Sequence, residues 1–194
     1  MIYHFPLLTP VARKALISEI AFQVLPQSPF FTPIMRNGVK FQYEMTNCGE
    51  LGWISDTQGY RYTTSHPNIG TPWAKLTDSI IAIIDFLKLQ GYLPKPFKAE
   101  TCLINKYTKG QKLGQHQDNT EKDLTSPIIS ISLGAPGIFL LGGMERTAPT
   151  TEYLLSPGDI FIMTGSDRLR YHAFKGITQG NERINLTIRQ VNLI

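Results

Sequence analysis

His116-Gln117-Asp118 places an imidazole and a carboxylate two residues apart. In an extended chain such positions point to the same side, so both groups can reach one cation. A second histidine, His172, follows far downstream on another predicted strand. Two imidazoles and one carboxylate on one face of an octahedron leave three positions open, which is the ligand set of non-haem iron(II) oxygenases. Two open positions suit a bidentate cosubstrate and the third suits dioxygen. The neutral imidazole is the form that binds metal, so such a site weakens at low pH. An HxD pair alone is a weak signal, because in most chains it is a surface or turn feature. The distal His172 strengthens it only modestly. His4, near the N-terminus, and His66, in the Ser65-His66-Pro67 turn, read as surface residues without a role.

Arg183-x-Asn185-x-Thr187-x-Arg189 is the stronger signal. Arginines at both ends of one strand face are costly to bury unless each charge is paired. A dicarboxylate supplies the pairing, because a guanidinium fork binds a carboxylate through two parallel hydrogen bonds. Asn105 and Tyr107, two apart on an earlier strand, share a face and can donate to the same anion. Alternatively, these arginines sit on a solvent-facing edge strand and pair with nearby acids.

The elements that must position these groups are mostly strands. Residues 9–24 predict an amphipathic helix, capped by Thr9 with Pro10 in its first turn. Residues 77–90 predict a second, opened by Thr77 and Asp78, striped by Ile80, Ile81, Ile84 and Leu87, and stopped at Gly91. Between them, 28–75 reads as aromatic-rich loop with one strand at 41–45. From residue 99 onward the pattern predicts strands at 99–107, 111–116, 127–133, 137–141, 151–155, 159–164, 170–174 and 183–191. Eight short strands at this spacing predict a jelly-roll or barrel. If the polar face of 183–189 points inward, it lines a polar cavity rather than a dry core.

The chain also resembles the AlkB family of nucleic-acid dealkylating dioxygenases. The resemblance rests on Met45 to Gly49 with Leu51-Gly52-Trp53, Gln58-Gly59-Tyr60, Cys102 to Tyr107, His116-Gln117-Asp118, Pro127 to Gly134, Gly158-Asp159, Tyr171-His172 and Arg183 to Arg189. It covers roughly residues 28–191. It implies a double-stranded β-helix core at 99–194, a supporting helix at 76–98, a substrate-recognition lid at 28–75 and a helical extension at 1–27, all in one domain. It implies that His116, Asp118 and His172 ligate Fe(II). Asn105, Tyr107, Arg183, Asn185 and Arg189 would hold 2-oxoglutarate, with Arg183 on its distal carboxylate and O2 as second cosubstrate. Trp53, Tyr60 and Tyr62 would cover the substrate base, and Arg146 would contact nucleic acid. The implied activity is oxidative demethylation of bases such as 1-methyladenine and 3-methylcytosine in DNA, single- or double-stranded, or in RNA. The chain departs from the family at Thr120, where bacterial members carry an acid that approaches the exocyclic amine, and at Met163 and Arg170, where they carry aromatics. These changes bear on substrate choice more than on chemistry.

Composition narrows the classes. Of 194 residues, 42% are hydrophobic and 18% charged, which marks a globular chain with a core. No apolar run approaches a membrane span, and the first residues lack a secretory pattern, so an intracellular, cytoplasmic protein is expected, and a monomer is the expected state. Cys48 and Cys102, lacking a CxxC, read as small buried hydrophobes. The net charge of +4 suits a polyanionic partner. Lys106, Arg146, Arg168 and Arg170 are candidates for phosphate contacts or solvated charges. Zinc hydrolysis is disfavoured, since no HExxH is present. An oxygenase acting on RNA or protein, or a silent nucleic-acid-binding module on the same fold, remain the alternatives.

Overall fold

The strict alternation of residues 183–189 is realised in the middle of a six-stranded antiparallel sheet. The computed structural model describes residues 1–193. The strands are β1 (Ile2–Pro6), β2 (Glu44–Gly49), β3 (Gly52–Asp56), β4 (Gly59–Thr63), β5 (Thr101–Thr108), β6 (Leu113–His116), β7 (Ile128–Gly134), β8 (Gly137–Leu141), β9 (Thr151–Leu155), β10 (Asp159–Met163), β11 (His172–Ile177) and β12 (Glu182–Arg189). The helices are α1 (Pro10–Glu19), continued by a π turn to Val24, and α2 (Asp78–Leu89). The major sheet has the order β1-β10-β7-β12-β5-β2 and the minor sheet β6-β11-β8-β9, with β3-β4 a separate hairpin. A mainly β architecture with two jelly-roll sheets and flanking helices results.

One face of the major sheet is covered by the helices. Ile184, Leu186 and Ile188 of β12, with Ile129, Ile131 and Leu133 of β7, pack against Leu16, Ile20, Ile80, Ile84 and Leu87. Each fully buried aliphatic side chain contributes about 1.5–3 kcal/mol. The period-two pleat therefore sends Arg183, Asn185, Thr187 and Arg189 to the opposite face, toward the minor sheet. Thr9 accepts from the Ala12 amide at the start of α1. Gly91, at φ 78°, ends α2, with Tyr92 N–H reaching the Leu87 carbonyl at 2.9 Å. Cys48 and Cys102 face each other across β2 and β5, fully buried and reduced.

The structure departs from the sequence expectation in several places. β1 pairs with β10 through five residues that carry too short a pattern to stand out. The strand expected at 41–45 lies at 44–49, beside β5. The hairpin of β3 and β4 lies where the sequence predicts loop. Its two-residue turn, Thr57-Gln58, lacks the Asn-Gly signal, and Gly59 at φ 105° with an Asp56 carboxylate on the Gln58 amide closes it instead. Gly52 opens the hairpin because a Cβ there would lie 2.2 Å from the Trp73 ring. β11 begins at His172 rather than 170, after a 3-10 turn over Gly165–Leu169. His66 is buried, with its ring on the Pro29 carbonyl at 2.8 Å, and His4 sits half-buried on Asp159 at 2.9 Å, so neither is a plain surface residue.

Candidate active site

Antiparallel pairing of β6 and β11 sets His116 directly opposite His172, with ring centroids 4.3 Å apart. Asp118 follows two residues after β6. Its oxygens lie 3.8 Å from His116 Nε2 and 3.6 Å from His172 Nε2. One donor atom from each residue falls within 4.8 Å of the other two. The Nδ1 atoms lie 2.9 Å from the Gly114 carbonyl and 3.0 Å from the Arg170 carbonyl. A carbonyl only accepts, so each Nδ1 carries the hydrogen and each Nε2 keeps a lone pair aimed at the gap. Burial and then the neighbouring His172 push His116 down to about 4, which keeps its imidazole neutral. Burial alone would raise Asp118, yet Arg189 and the two histidines outweigh it and hold the carboxylate ionised. Two imidazoles and one carboxylate, converging with their Nε2 atoms turned to the gap, fit a divalent first-row ion.

Behind this trio runs a narrow cavity of about 70 Å³ between the two sheets, lined by Asn105, Tyr107, Arg183, Asn185, Thr187 and Arg189 on its polar side. Arg183 is 1% exposed. Its guanidinium donates to the carbonyls of Ala135 and Leu155 at 3.2 and 3.3 Å, to Ser132 Oγ at 2.8 Å and to Asn185 Oδ1 at 3.3 Å. Its Nε has no partner, and among the described residues no carboxylate pairs with it. Burial lowers it to about 10, so it remains a cation at neutral pH. The Asn105 carbonyl oxygen is also unpartnered. A buried cation with unused donors is the signature of a missing anion. The far end of the cavity is apolar, with Ile128, Phe161 and Met163.

Arg189 behaves differently. It pairs with Asp118 at 2.8 Å and with Glu121 at 2.7 Å. Glu121 is a buried partner without a signal in the sequence, since the irregular segment between β6 and β7 carries no periodicity, and it meets Arg168 from the 3-10 turn before β11. Arg168 is fully buried, donating to Glu121 and to the Asp118 and Ser126 carbonyls, so it is not a phosphate contact. Lys106 is likewise occupied, 2.5 Å from Glu44 and stacked over Phe30. Arg170 pairs with Asp167 at 3.1 Å.

A second cavity of about 120 Å³ adjoins the first and shares His116, Asp118, Asn105 and Arg189 with it. Trp53 and Tyr60 form its outer wall, with rings 5.4 Å apart, and Phe41 and Tyr43 continue it inward. Thr120, Asn119 and Gln117 offer neutral polar groups. Tyr62 is not part of this wall, because its hydroxyl turns inward onto Glu121 and Arg189. A groove leads away from the cavity past Lys40, Lys112 and Arg146, whose guanidinium holds the Gln115 carbonyl at 2.5 Å and lies 5.0 Å over Tyr171.

Comparison with known proteins agrees with this geometry. A sequence model of the 2OG-Fe(II) oxygenase superfamily matches residues 2–189. The alpha-ketoglutarate-dependent dioxygenase AlkB of Salmonella typhimurium is 39% identical over 92% of the chain and 85% of its own length. An AlkB homolog of Caulobacter vibrioides is 36% identical over 92% of the chain and 82% of its length. The solved structure of OsALKBH1 superposes with a TM-score of 0.76 at 26% identity, covering 97% of both chains. The chain therefore belongs to the AlkB group of the 2OG-Fe(II) oxygenase superfamily and is an iron(II)- and 2-oxoglutarate-dependent dioxygenase.

Proposed function

We propose that this enzyme reverses alkylation damage by oxidatively demethylating N-alkylated bases, such as 1-methyladenine and 3-methylcytosine, in DNA. The observation that carries the reading is a pair of adjoining cavities that meet at His116 and Asp118, one lined by Asn105, Tyr107, Arg183, Asn185 and Arg189, the other walled by Trp53, Tyr60, Phe41 and Tyr43. Fe(II), with 2-oxoglutarate and O2, supplies the oxidising power that hydroxylates the alkyl carbon, which leaves as an aldehyde beside succinate and CO2. The protein supplies position and electrostatics.

His116, Asp118 and His172 hold the metal. Arg183, hydrogen-bonded to Ser132 and Asn185, takes the distal carboxylate of the cosubstrate, with Asn105, Tyr107, Asn185 and Arg189 around the rest. Trp53 and Tyr60 present flat faces to an unstacked base, and such stacking is worth about 1–3 kcal/mol. A methylated ring nitrogen makes the base cationic, which favours aromatic faces further. Thr120 faces the base with a hydroxyl and no charge. A base inside a duplex cannot reach so recessed a pocket, so the substrate is single-stranded or flipped out. Arg146 with Lys40 and Lys112 lines the groove the backbone would follow. All these groups come from one chain, so a monomer suffices. Among the described residues no helix is long and apolar enough to cross a membrane. Reduced Cys48 and Cys102 suit the cytoplasm.

The test is anaerobic loading with Fe(II) and 2-oxoglutarate, then air and methylated oligonucleotides of DNA or RNA, with a methylated peptide alongside, read by mass. Loss of the methyl mass from DNA, abolished in His116→Ala, supports the reading. Turnover confined to RNA or peptide would reassign the substrate, and binding of the lesion without turnover would favour a silent module.

A further inference from the structure

The Trp53/Tyr60 hairpin is attached to the metal site by one side chain. β4 pairs only with β3 among the described residues, so its outer edge has no sheet partner. Tyr62 sits on β4, opposite Trp53 and two residues from Tyr60. Its hydroxyl donates to Glu121 Oε1 and accepts from Arg189 Nη1 at 3.1 Å. The same Arg189 holds Asp118 Oδ2 at 2.8 Å, and Glu121 is held from its other side by Arg168 at 3.0 Å. Two acids and two guanidinium groups thus form a neutral buried cluster, and among the described residues Tyr62 is the one hairpin residue hydrogen-bonded to it. The other ties of the hairpin run elsewhere: Asn47 to the Trp53 backbone, Ser55 to the Ile34 carbonyl, and Trp73 to the Thr63 carbonyl.

We propose that Tyr62 and Glu121 are positioning residues that latch the aromatic hairpin to the wall of the metal and diacid pocket. Arg189 is shared by a carboxylate facing the metal position and by the latch. A change in the charge facing Asp118 or Arg189 therefore changes the strength of the hydrogen bonds that Tyr62 makes, since buried hydrogen bonds in a network polarise one another. Loading the pocket stiffens the hairpin, and by linkage a base held by the hairpin tightens the pocket. The loaded part of this inference rests on the reading of the site given above; the latch itself does not.

Hydrogen exchange of the full chain tests it, with Tyr62→Phe and Glu121→Gln compared with wild type. Tyr62→Phe keeps the ring and removes only the latch. Without metal, amides of residues 52–63 should exchange about tenfold faster in Tyr62→Phe, while β5 and β12 keep wild-type rates. Glu121→Gln, which removes a charge the Tyr62 hydroxyl needs, should loosen the same segment. If it fails to fold, Tyr62→Phe decides. With Mn(II) and 2-oxoglutarate added anaerobically, the wild-type hairpin should gain protection and the Tyr62→Phe hairpin should not. A general packing role would loosen both states and leave that gain intact. Wild-type exchange rates in metal-free Tyr62→Phe, or equal gains of protection in both proteins, overturn the proposal. Failure of wild type to bind Mn(II) and 2-oxoglutarate would strike the functional reading instead, and the metal-free comparison would still decide the latch.

Discussion

The two ends of β12 bury the same side chain for opposite purposes. Arg189 is enclosed with Asp118, Glu121 and Arg168, and each charge meets an opposite one. Arg183, six residues earlier on the same face, is hydrogen-bonded to two carbonyls and the Ser132 hydroxyl, with no carboxylate within ion-pair distance and Asp159 acting on it only from farther off. Burying a cation without a counter-charge is unfavourable, so the fold sustains it only through the rest of the core. The contrast separates scaffold from binding site. A compensated charge fixes geometry, whereas an uncompensated one waits for a ligand.

The comparison predicts the largest effect at the compensated end. Arg168→Met leaves two buried carboxylates facing Arg189 alone, and breaking such a network costs about 3–5 kcal/mol of stability. Chemical denaturation would measure it, and adding Glu121→Gln should recover most of the loss by restoring neutrality. No loss in the single variant would break the distinction. At the other end the signs reverse. Arg183→Met should leave the metal-free protein as stable as wild type or more so, because it removes an unpaired buried cation. Its affinity for 2-oxoglutarate should fall by about 1.5–3 kcal/mol, the range for hydrogen bonds to charged groups. Calorimetry with Mn(II) present checks it, and unchanged affinity would remove Arg183 from the diacid site.

The same contrast explains what the sequence made legible. The β12 face, the HxD pair and His172 were readable because strand periodicity fixes direction: residues two apart share a face whatever the tertiary fold. That Arg183 would be unpaired and Arg189 paired was not readable, since the difference lies in Glu121 and Arg168, which come from irregular segments. The family resemblance groups Tyr62 with Trp53 and Tyr60, yet its hydroxyl enters the charge cluster. β1 and the β3-β4 hairpin escaped notice because five-residue strands with uncommon turns carry little local signal. Tertiary pairing, not propensity, defines them.

A smaller effect should appear with pH, again at one end only. Asp123 anchors the segment carrying Glu121. Burial would raise its pKa, but hydrogen bonds from Ser126 and Thr125 outweigh that and hold it at about 2. It also accepts from Gln190, next to Arg189, at 2.8 Å. Its folded pKa lies below the unfolded value of about 3.9, so its contribution is complete above roughly pH 4 and is lost as pH falls toward 2. Asp118 and Glu121 are lowered too and act in the same direction. Acid should therefore open the Arg189 end before the Arg183 end. Hydrogen exchange across that range should show the segment 117–126 losing protection ahead of β7 and β8, and Asp123→Asn should flatten the acid limb of the stability curve. Simultaneous loss would mean the two ends are energetically one.

The smallest expected effect carries the paired-versus-unpaired distinction to the surface. Arg170 is paired with Asp167, which it shares with the N-terminal ammonium, while Arg146 rests on a carbonyl and an aromatic ring beside the groove with no carboxylate partner. A cation that neutralises a backbone phosphate on binding releases its counterion, and one already paired must first give up its partner. Arg146→Ala should therefore weaken binding of a single-stranded oligonucleotide uniformly across sequences and reduce the dependence of log affinity on log salt by about one unit or less. Arg170→Ala should change the slope little, because the charge it removes was already spoken for. Equal slopes in wild type and Arg146→Ala, with a reduced slope in Arg170→Ala, would show that pairing in the free protein does not decide which arginine meets the backbone, and the rule drawn from β12 would stop at the core.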